Sequence, residues 1–188
     1  RVRRQSACWE EGMKIETSTV PRLRLTELTN LDPVEVIADN IAENKGKVTI
    51  TCFGKSWTAY WGSTGCDNVE EFFCSAGNDY LIGCLSPMLY STIPDKDADA
   101  DFIKSKIIKA RRAGEITKSD AWSLWCDSDL ADRDAIIFGF PNELSKFMGE
   151  EPYHLDWPTK TNHDYTYLSR ICDAVKAAFQ QVKEQPHD

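Results

Sequence analysis

Residues 46–62 read GKVTITCFGKSWTAYWG, two alternating runs separated by a short polar turn. Apolar and polar side chains alternate over residues 47–53 and again over 56–61, which is the period of a half-buried strand. Gly54-Lys55 lies between the runs, and Gly first in a two-residue loop is typical of a type II′ turn. The stretch therefore predicts an antiparallel β-hairpin over residues 47–61.

The turn also predicts which residues face each other across the hairpin. In this register one face is entirely apolar and the other is suited to water, which favours packing of the apolar face, tryptophans included, on a core. The apolar pairs are Val48 with Trp61, Ile50 with Ala59 and Cys52 with Trp57, and the polar pairs are Thr49 with Tyr60 and Thr51 with Thr58.

The residues before the hairpin predict one strand and one helix. Alternation of apolar side chains suggests a strand over residues 22–28. Asp32 offers an N-cap, Pro33 suits the first helical position and Glu35 completes a capping box. With Val34, Ile37, Ala38 and Ile41 on one helical face, we expect a helix from Pro33 to about Asn44.

The residues after the hairpin are mainly helical in pattern. Helices are predicted from Asp67 or Asn68 to Gly77, through residues 102–114, from Thr117 onward and through residues 164–182, while 88–99 resemble a connecting loop and 128–163 have no regular pattern. The whole predicts an α+β fold: a small antiparallel sheet, formed by hairpin 47–61 and a strand at 22–28, packed by helices, with a helical C-terminal half.

The N-terminal residues carry a separate pattern. Trp9-Glu10-Glu11-Gly12, immediately before Met13, can be encoded by a purine-rich ribosome-binding sequence. Our hypothesis is that Met13 is the start and that residues 1–12 are a translated leader from a bacterial or phage gene, outside the fold. Residues 13–188 are then expected to form a single α+β domain, within the usual size of one domain.

Composition limits the classes of partner. The formal charge of -8 disfavours binding to nucleic-acid backbones, which depends on Lys and Arg, and favours protein or small-molecule partners. Without an apolar run long enough for a bilayer or a secretory segment, we expect a cytoplasmic protein. Seven cysteines without a C-x-x-C pair indicate buried, reduced thiols; Cys66 and Cys74 lie near helix ends, but no His nearby supports a catalytic thiol.

Two groups of residues have the composition of a metal or catalytic site. Asp95, Asp97, Asp99 and Asp101 alternate like the start of a calcium loop, but Ala100 and Lys106 occupy the positions that require Gly and Glu. His154, Asp156, His163 and Asp164 could hold a divalent metal or act as acid and base in a hydrolase or nuclease, although their spacing matches no defined motif. We therefore expect no catalytic residue, metal or cofactor, with the hydrolase as the alternative.

The first hypothesis is a non-enzymatic protein that binds another protein. Phe53 and Tyr60, on the water-facing side of the hairpin, are the predicted partner-binding residues, because exposed aromatic side chains often anchor interfaces. The basic residues Lys104, Lys106, Lys109, Arg111 and Arg112 are interpreted as a solvated helix face that could also form one pole of a dipolar surface.

Three segments of the chain resemble a known group of proteins. GKVTITCFGKSWTAYWG at 46–62, IIKARRAGEITKSDAWSLW at 107–125 and DYTYLSRICDAV at 164–175 are similar to uncharacterised accessory proteins of lambda-like phages and enterobacterial prophages. The resemblance covers most of the chain from Met13. Its motifs are structural, so it implies a phage or prophage setting in a bacterial host cell and no active-site residues. In that setting, the partner of the first hypothesis is expected to be a host or phage protein.

Overall fold

The computed structural model describes residues 15, 17–139 and 141–184. They form an α+β fold, as predicted, in two compact units: the described residues up to Ser86 together with residues 169–184, and the described residues of Pro87–Leu168. The proposed leader at residues 1–12 lies outside the described residues, and the single domain over 13–188 stays a prediction.

The first unit is built on a four-stranded antiparallel sheet. Its strands lie in chain order, β1-β2-β3-β4, each paired with its sequence neighbours. The strands are β1 (Arg22–Leu25), β2 (Val34–Ala42), β3 (Lys45–Cys52) and β4 (Lys55–Trp61). The strand predicted at 22–28 is confirmed, but it ends at Leu25.

The hairpin between β3 and β4 is confirmed, whereas its predicted register was wrong. Phe53 and Gly54 form the turn, with φ of 46° and 76°, so both lie in the left-handed region that a type I′ turn requires. Val48 faces Ala59, Ile50 faces Trp57 and Cys52 faces Lys55. Because the shift amounts to two residues on β4, every side chain stays on its predicted face.

The helix predicted from Pro33 to Asn44 was also wrong, since Val34–Ala42 is strand β2. Val34, Val36 and Ala38 are buried at every second residue, which is the period of a strand. β2 pairs with β1 on one side and β3 on the other. The hydrogen bonds to two neighbouring strands outweigh the local capping pattern around Asp32 and Glu35.

Three helices pack against this sheet within the first unit. They are α1 (Val69–Ser75), α2 (Asn78–Leu85) and residues 169–184 of α7 (His163–Glu184). Asn68 caps α1 as predicted, and Asn40 of β2 accepts a 2.7 Å hydrogen bond from the Val69 N–H. Their buried side chains cover the apolar sheet face: Val69, Phe73, Leu81, Ile82, Leu85, Ile171, Cys172, Val175 and Phe179.

The second unit is mostly helical and includes much of the segment that the sequence left unassigned. Its helices are α3 (Asp99–Ala113), α4 (Lys118–Ser128), α5 (Arg133–Phe138) and α6 (Glu143–Met148), with 3-10 turns at Lys96–Ala98 and Pro152–His154. Strands β5 (Thr92–Pro94) and β6 (Thr159–Thr161) pair antiparallel. The predicted loop at 88–99 thus contains β5 and a helical turn.

Helices α3 and α4, both predicted as helices, form a helical hairpin. Gly114 adopts φ of 78° at the end of α3, and Thr117 with Asp120 forms a complete capping box at the start of α4. The hairpin buries a small apolar core against the shorter helices, formed by Ile103, Ile107, Leu124, Ile136, Leu144 and Met148.

Candidate binding surfaces

The α3–α4 hairpin carries an apolar groove, which we call the Trp122 groove. It encloses about 750 Å³, and its lining comes from both helices. Trp122 is 70% exposed and Ile108 is 37% exposed, although both are large apolar side chains. The full lining is Ile107, Ile108, Arg111, Arg112, Lys118, Ser119, Ala121, Trp122 and Trp125.

Three cations line this groove and no carboxylate does. Arg111 and Arg112 come from the last turn of α3, and Lys118 begins α4. Within the described residues none of the three forms an ion pair, whereas the nearby Lys104 pairs with Asp129 and lies 5.1 Å from the Trp125 ring centroid. The groove therefore combines an apolar floor with unpaired positive charge on a protein that is acidic as a whole.

Sequence interpretation placed Trp122 in a helix but did not identify it as a surface residue. Ala121, Leu124, Trp125 and Ser128 recur at the helical period and are buried or half-buried, and Trp122 lies off this face. The exposure of Trp122 could therefore have been predicted from its position outside the apolar stripe of the helix. The helical hairpin then places it beside the Arg111-Arg112 pair, which had been interpreted as a solvated face.

The two predicted anchors of the hairpin are exposed but lie apart. Phe53 is 85% exposed and Tyr60 is 58% exposed. Phe53 belongs to the turn, whereas Tyr60 pairs with Lys47 near the opposite end of the hairpin. At roughly 3.4 Å per residue the strands separate the two rings by about 20 Å. They do not form one patch, and their binding role stays a prediction.

The four residues of the metal hypothesis do not assemble into a metal site. His154 ends a 3-10 turn with its ring centroid 4.4 Å from that of Tyr153, while the Asp164 N–H donates to the Asn162 side chain at the start of α7. Across the described residues no group of three His, Cys, Asp or Glu side chains is arranged to bind a metal ion. The role of His154, Asp156, His163 and Asp164 in a hydrolase or nuclease stays an untested prediction.

Three of the four aspartates in the run at 95–101 form ion pairs with cations of the same unit. The Lys160 ammonium lies 3.3 Å from Asp95 and 3.1 Å from Asp97, and hydrogen bonds with Asp97 and Asp95 raise the pKa of Lys160 above its usual value. Asp99 is buried against Arg133. These carboxylates stabilise the unit and do not converge on one point as calcium ligands would.

A second groove, of about 620 Å³, lies in the first unit between β1, β2, α1 and the end of α7. Its polar rim is already paired: Asn40 donates to Glu70 at 2.8 Å, and Lys183 lies 3.5 Å from Glu71. Burial raises the pKa of the Cys74 thiol on its wall, so this group is held in the neutral form and is not an activated nucleophile. The rim leaves less unpaired charge for a partner than the Trp122 groove does.

In residues 15, 17–139 and 141–184, no helix has both the length and the apolar character that a bilayer crossing requires.

Comparison with models of known protein families identifies a family for this chain. A family model described as a phage family matches residues 13–181, which is well over half of the chain. No curated protein and no solved structure matches the chain at a significant level. The chain therefore belongs to this phage protein family.

Proposed function

We propose that this phage protein acts without catalysis, by binding a host or phage protein through the Trp122 groove, in the cytoplasm of the bacterial host. The observation that carries the proposal is a tryptophan that is 70% exposed in an apolar groove whose three cations have no carboxylate partner in the described residues. The resemblance to accessory proteins of lambda-like phages and enterobacterial prophages supports such a role.

The residue types of the groove are those that dominate protein interfaces. Trp and Arg are enriched among residues whose truncation costs about 2 kcal/mol or more of binding free energy. A monomer gains little from leaving Trp122 exposed, because its ring could bury a large apolar area. Ile108 and Trp125 also line the groove, so a partner would find apolar surface beyond the Trp122 ring.

The charges of the groove specify the chemistry of the partner. An amphipathic helix with apolar residues on one face and Glu or Asp along its flanks would fill the apolar floor and pair with Arg111, Arg112 and Lys118. A nucleic acid is the less favourable partner, since a few cations on a chain of charge -8 displace few counterions. We therefore propose an acidic, amphipathic protein segment as the ligand.

The experiment uses two synthetic helical peptides of about 16 residues, sharing an apolar face and carrying either Glu and Asp or Lys and Arg on the flanks. Isothermal titration of the full chain is expected to detect binding of the acidic peptide alone. Trp122→Ala and Arg111→Glu/Arg112→Glu should each weaken it at least tenfold, since about 1.4 kcal/mol corresponds to a factor of ten. Met88→Ala is the matched control, because Met88 is 80% exposed in the same unit but outside the groove.

Any one of four results would overturn the proposal. The two peptides could bind equally, or Trp122→Ala could bind like Met88→Ala. An oligothymidylate could bind at the groove where the acidic peptide does not. Loss of binding in Phe53→Ser/Tyr60→Ser instead would assign the interaction to the β3–β4 hairpin, as the sequence first suggested.

A further inference from the structure

The free edge of strand β4 is a second surface that the proposed function does not use. β4 is the outermost strand of the sheet and pairs with β3 alone. In a hairpin with a two-residue turn, the residues that flank the turn, here Cys52 and Lys55, form the first hydrogen-bonded pair. Along antiparallel strands, hydrogen-bonded pairs alternate with non-hydrogen-bonded pairs. Lys55, Trp57, Ala59 and Trp61 therefore direct their backbone groups to β3, whereas Ser56, Thr58 and Tyr60 direct theirs outward.

Those outward groups have no backbone partner in the part of the chain that the structure describes. β4 also lacks the usual protection of an edge strand, since residues 56–61 contain no charge, no Pro and no register shift. The opposite edge differs: β1 has four residues, follows Pro21 and carries Arg22 and Arg24. The β1 edge of the sheet is therefore protected against pairing with another strand, whereas the β4 edge is not.

We infer that the β4 edge pairs with the same edge of a second copy of this chain, in antiparallel orientation with Thr58 on the two-fold axis. In this register Thr58 faces Thr58 and Ser56 faces Tyr60, so each outward-facing residue exchanges two backbone hydrogen bonds with its partner. The two four-stranded sheets become one continuous sheet.

The side chains suit this register on both faces. On the buried face the half-buried Trp57 meets the small Ala59 of the second copy, and on the solvent face the Thr49–Thr58 contact of 3.0 Å extends across the axis. The charges are also compatible. Lys55 is the one charged residue of β4 and faces Trp61, so no like charges oppose each other.

The strength of this dimer follows from its size and charge. A single strand pair is small beside the ~800 Å² per partner of a standard interface, so we expect a dissociation constant in the micromolar range. Each copy has a formal charge of -8, and added salt screens the repulsion between them. The dimer should therefore tighten as ionic strength rises from about 0.01 to 0.15 M.

The test combines sedimentation equilibrium with amide hydrogen exchange measured by NMR on the full chain. The mass should rise from monomer to dimer with concentration, and the amides of Ser56, Thr58 and Tyr60 should become protected while those of Trp57 and Ala59 are protected throughout. Thr58→Lys should weaken the dimer at least tenfold, because it places the ammonium groups of the two copies opposite each other at the two-fold axis. Thr51→Lys, on the same face of the inner strand β3, should leave the dimer unchanged.

Monomeric mass up to about 1 mM would overturn the inference. So would a dimer in which the exchange of Ser56, Thr58 and Tyr60 does not change with concentration, because the interface would then lie elsewhere. The exchange measurement uses the unmodified chain, so it decides the question even if Thr58→Lys fails to fold. Because the Trp122 groove is not part of this edge, loss of either interaction leaves the other measurable.

Discussion

Asp99 and Arg133 form a buried ion pair in the second unit, with side chains 3% and 6% exposed. The Arg133 Nε lies 3.0 and 3.1 Å from the two carboxylate oxygens, and its Nη2 also donates to the Pro158 carbonyl at 2.8 Å. The guanidinium lies 5.0 Å from the Trp157 ring centroid. One arginine thereby joins α3, α5 and the segment before β6.

Removal of one partner of this pair should destabilise the second unit strongly. Asp99→Asn leaves the Arg133 charge buried without its counter-ion, and breaking such a pair typically costs about 3–5 kcal/mol. Urea unfolding followed by far-ultraviolet circular dichroism measures the loss. The exposed pair of Lys96 and Asp134, 3.0 Å apart, is the matched control, and Lys96→Ala should change the midpoint little. Equal effects of the two substitutions would contradict the account.

The β3–β4 turn should become more stable when Phe53 is replaced by Asn. Phe53 has φ of 46° and is 85% exposed, so its ring gains little burial while its backbone is in a region that disfavours bulky side chains. Asn-Gly is the preferred type I′ pair, and we expect Phe53→Asn to raise the free energy of unfolding by about 1 kcal/mol. Thermal unfolding checks the change. Phe53→Leu keeps the backbone strain and should give no gain; a lower melting temperature for Phe53→Asn would show that the ring itself stabilises the fold.

Burial of Cys172 should make stability fall at alkaline pH. Desolvation raises the pKa of this thiol to about 12, above its value of about 8.5 in an unfolded chain. The folded state thus holds the proton more tightly than the unfolded chain does. The resulting contribution to the free energy of unfolding is fully present below about pH 8.5 and is lost as the pH rises toward about 12. Cys172→Ala removes it, so the free energy of unfolding of that variant should fall less steeply between pH 8.5 and 11. Parallel pH profiles for the two proteins would contradict the assigned burial.

Much of the first unit could be predicted from the sequence because its strands alternate strictly. The predicted faces of the β3–β4 hairpin were correct. The predicted register was shifted because Gly54 can start a type II′ turn or end a type I′ turn. β2 could not be recognised locally. Val34, Ile37, Ala38 and Ile41 fit a helical stripe, while Val34, Val36 and Ala38 fit a strand, and the choice depends on pairing with β1 and β3.

The candidate site was harder to predict because it depends on two elements. Trp122, Arg111 and Arg112 were each visible in the sequence, but only the α3–α4 corner at Gly114 brings the end of one helix beside the start of the next. The segment 128–163 stayed unassigned because α5 and α6 have six residues each, too few to show a helical period.

The central claim is that a protein partner contacts the Trp122 groove, and site-specific photo-crosslinking in bacterial host cells tests it most directly. Benzoyl-phenylalanine at Ser119, which lines the groove, should give one discrete adduct with another protein, identifiable by mass spectrometry and lost in the Trp122→Ala background. The same probe at the exposed Glu150 serves as the control. Absence of an adduct from position 119, or the same adducts from both positions, would contradict the assignment of the groove as the binding surface.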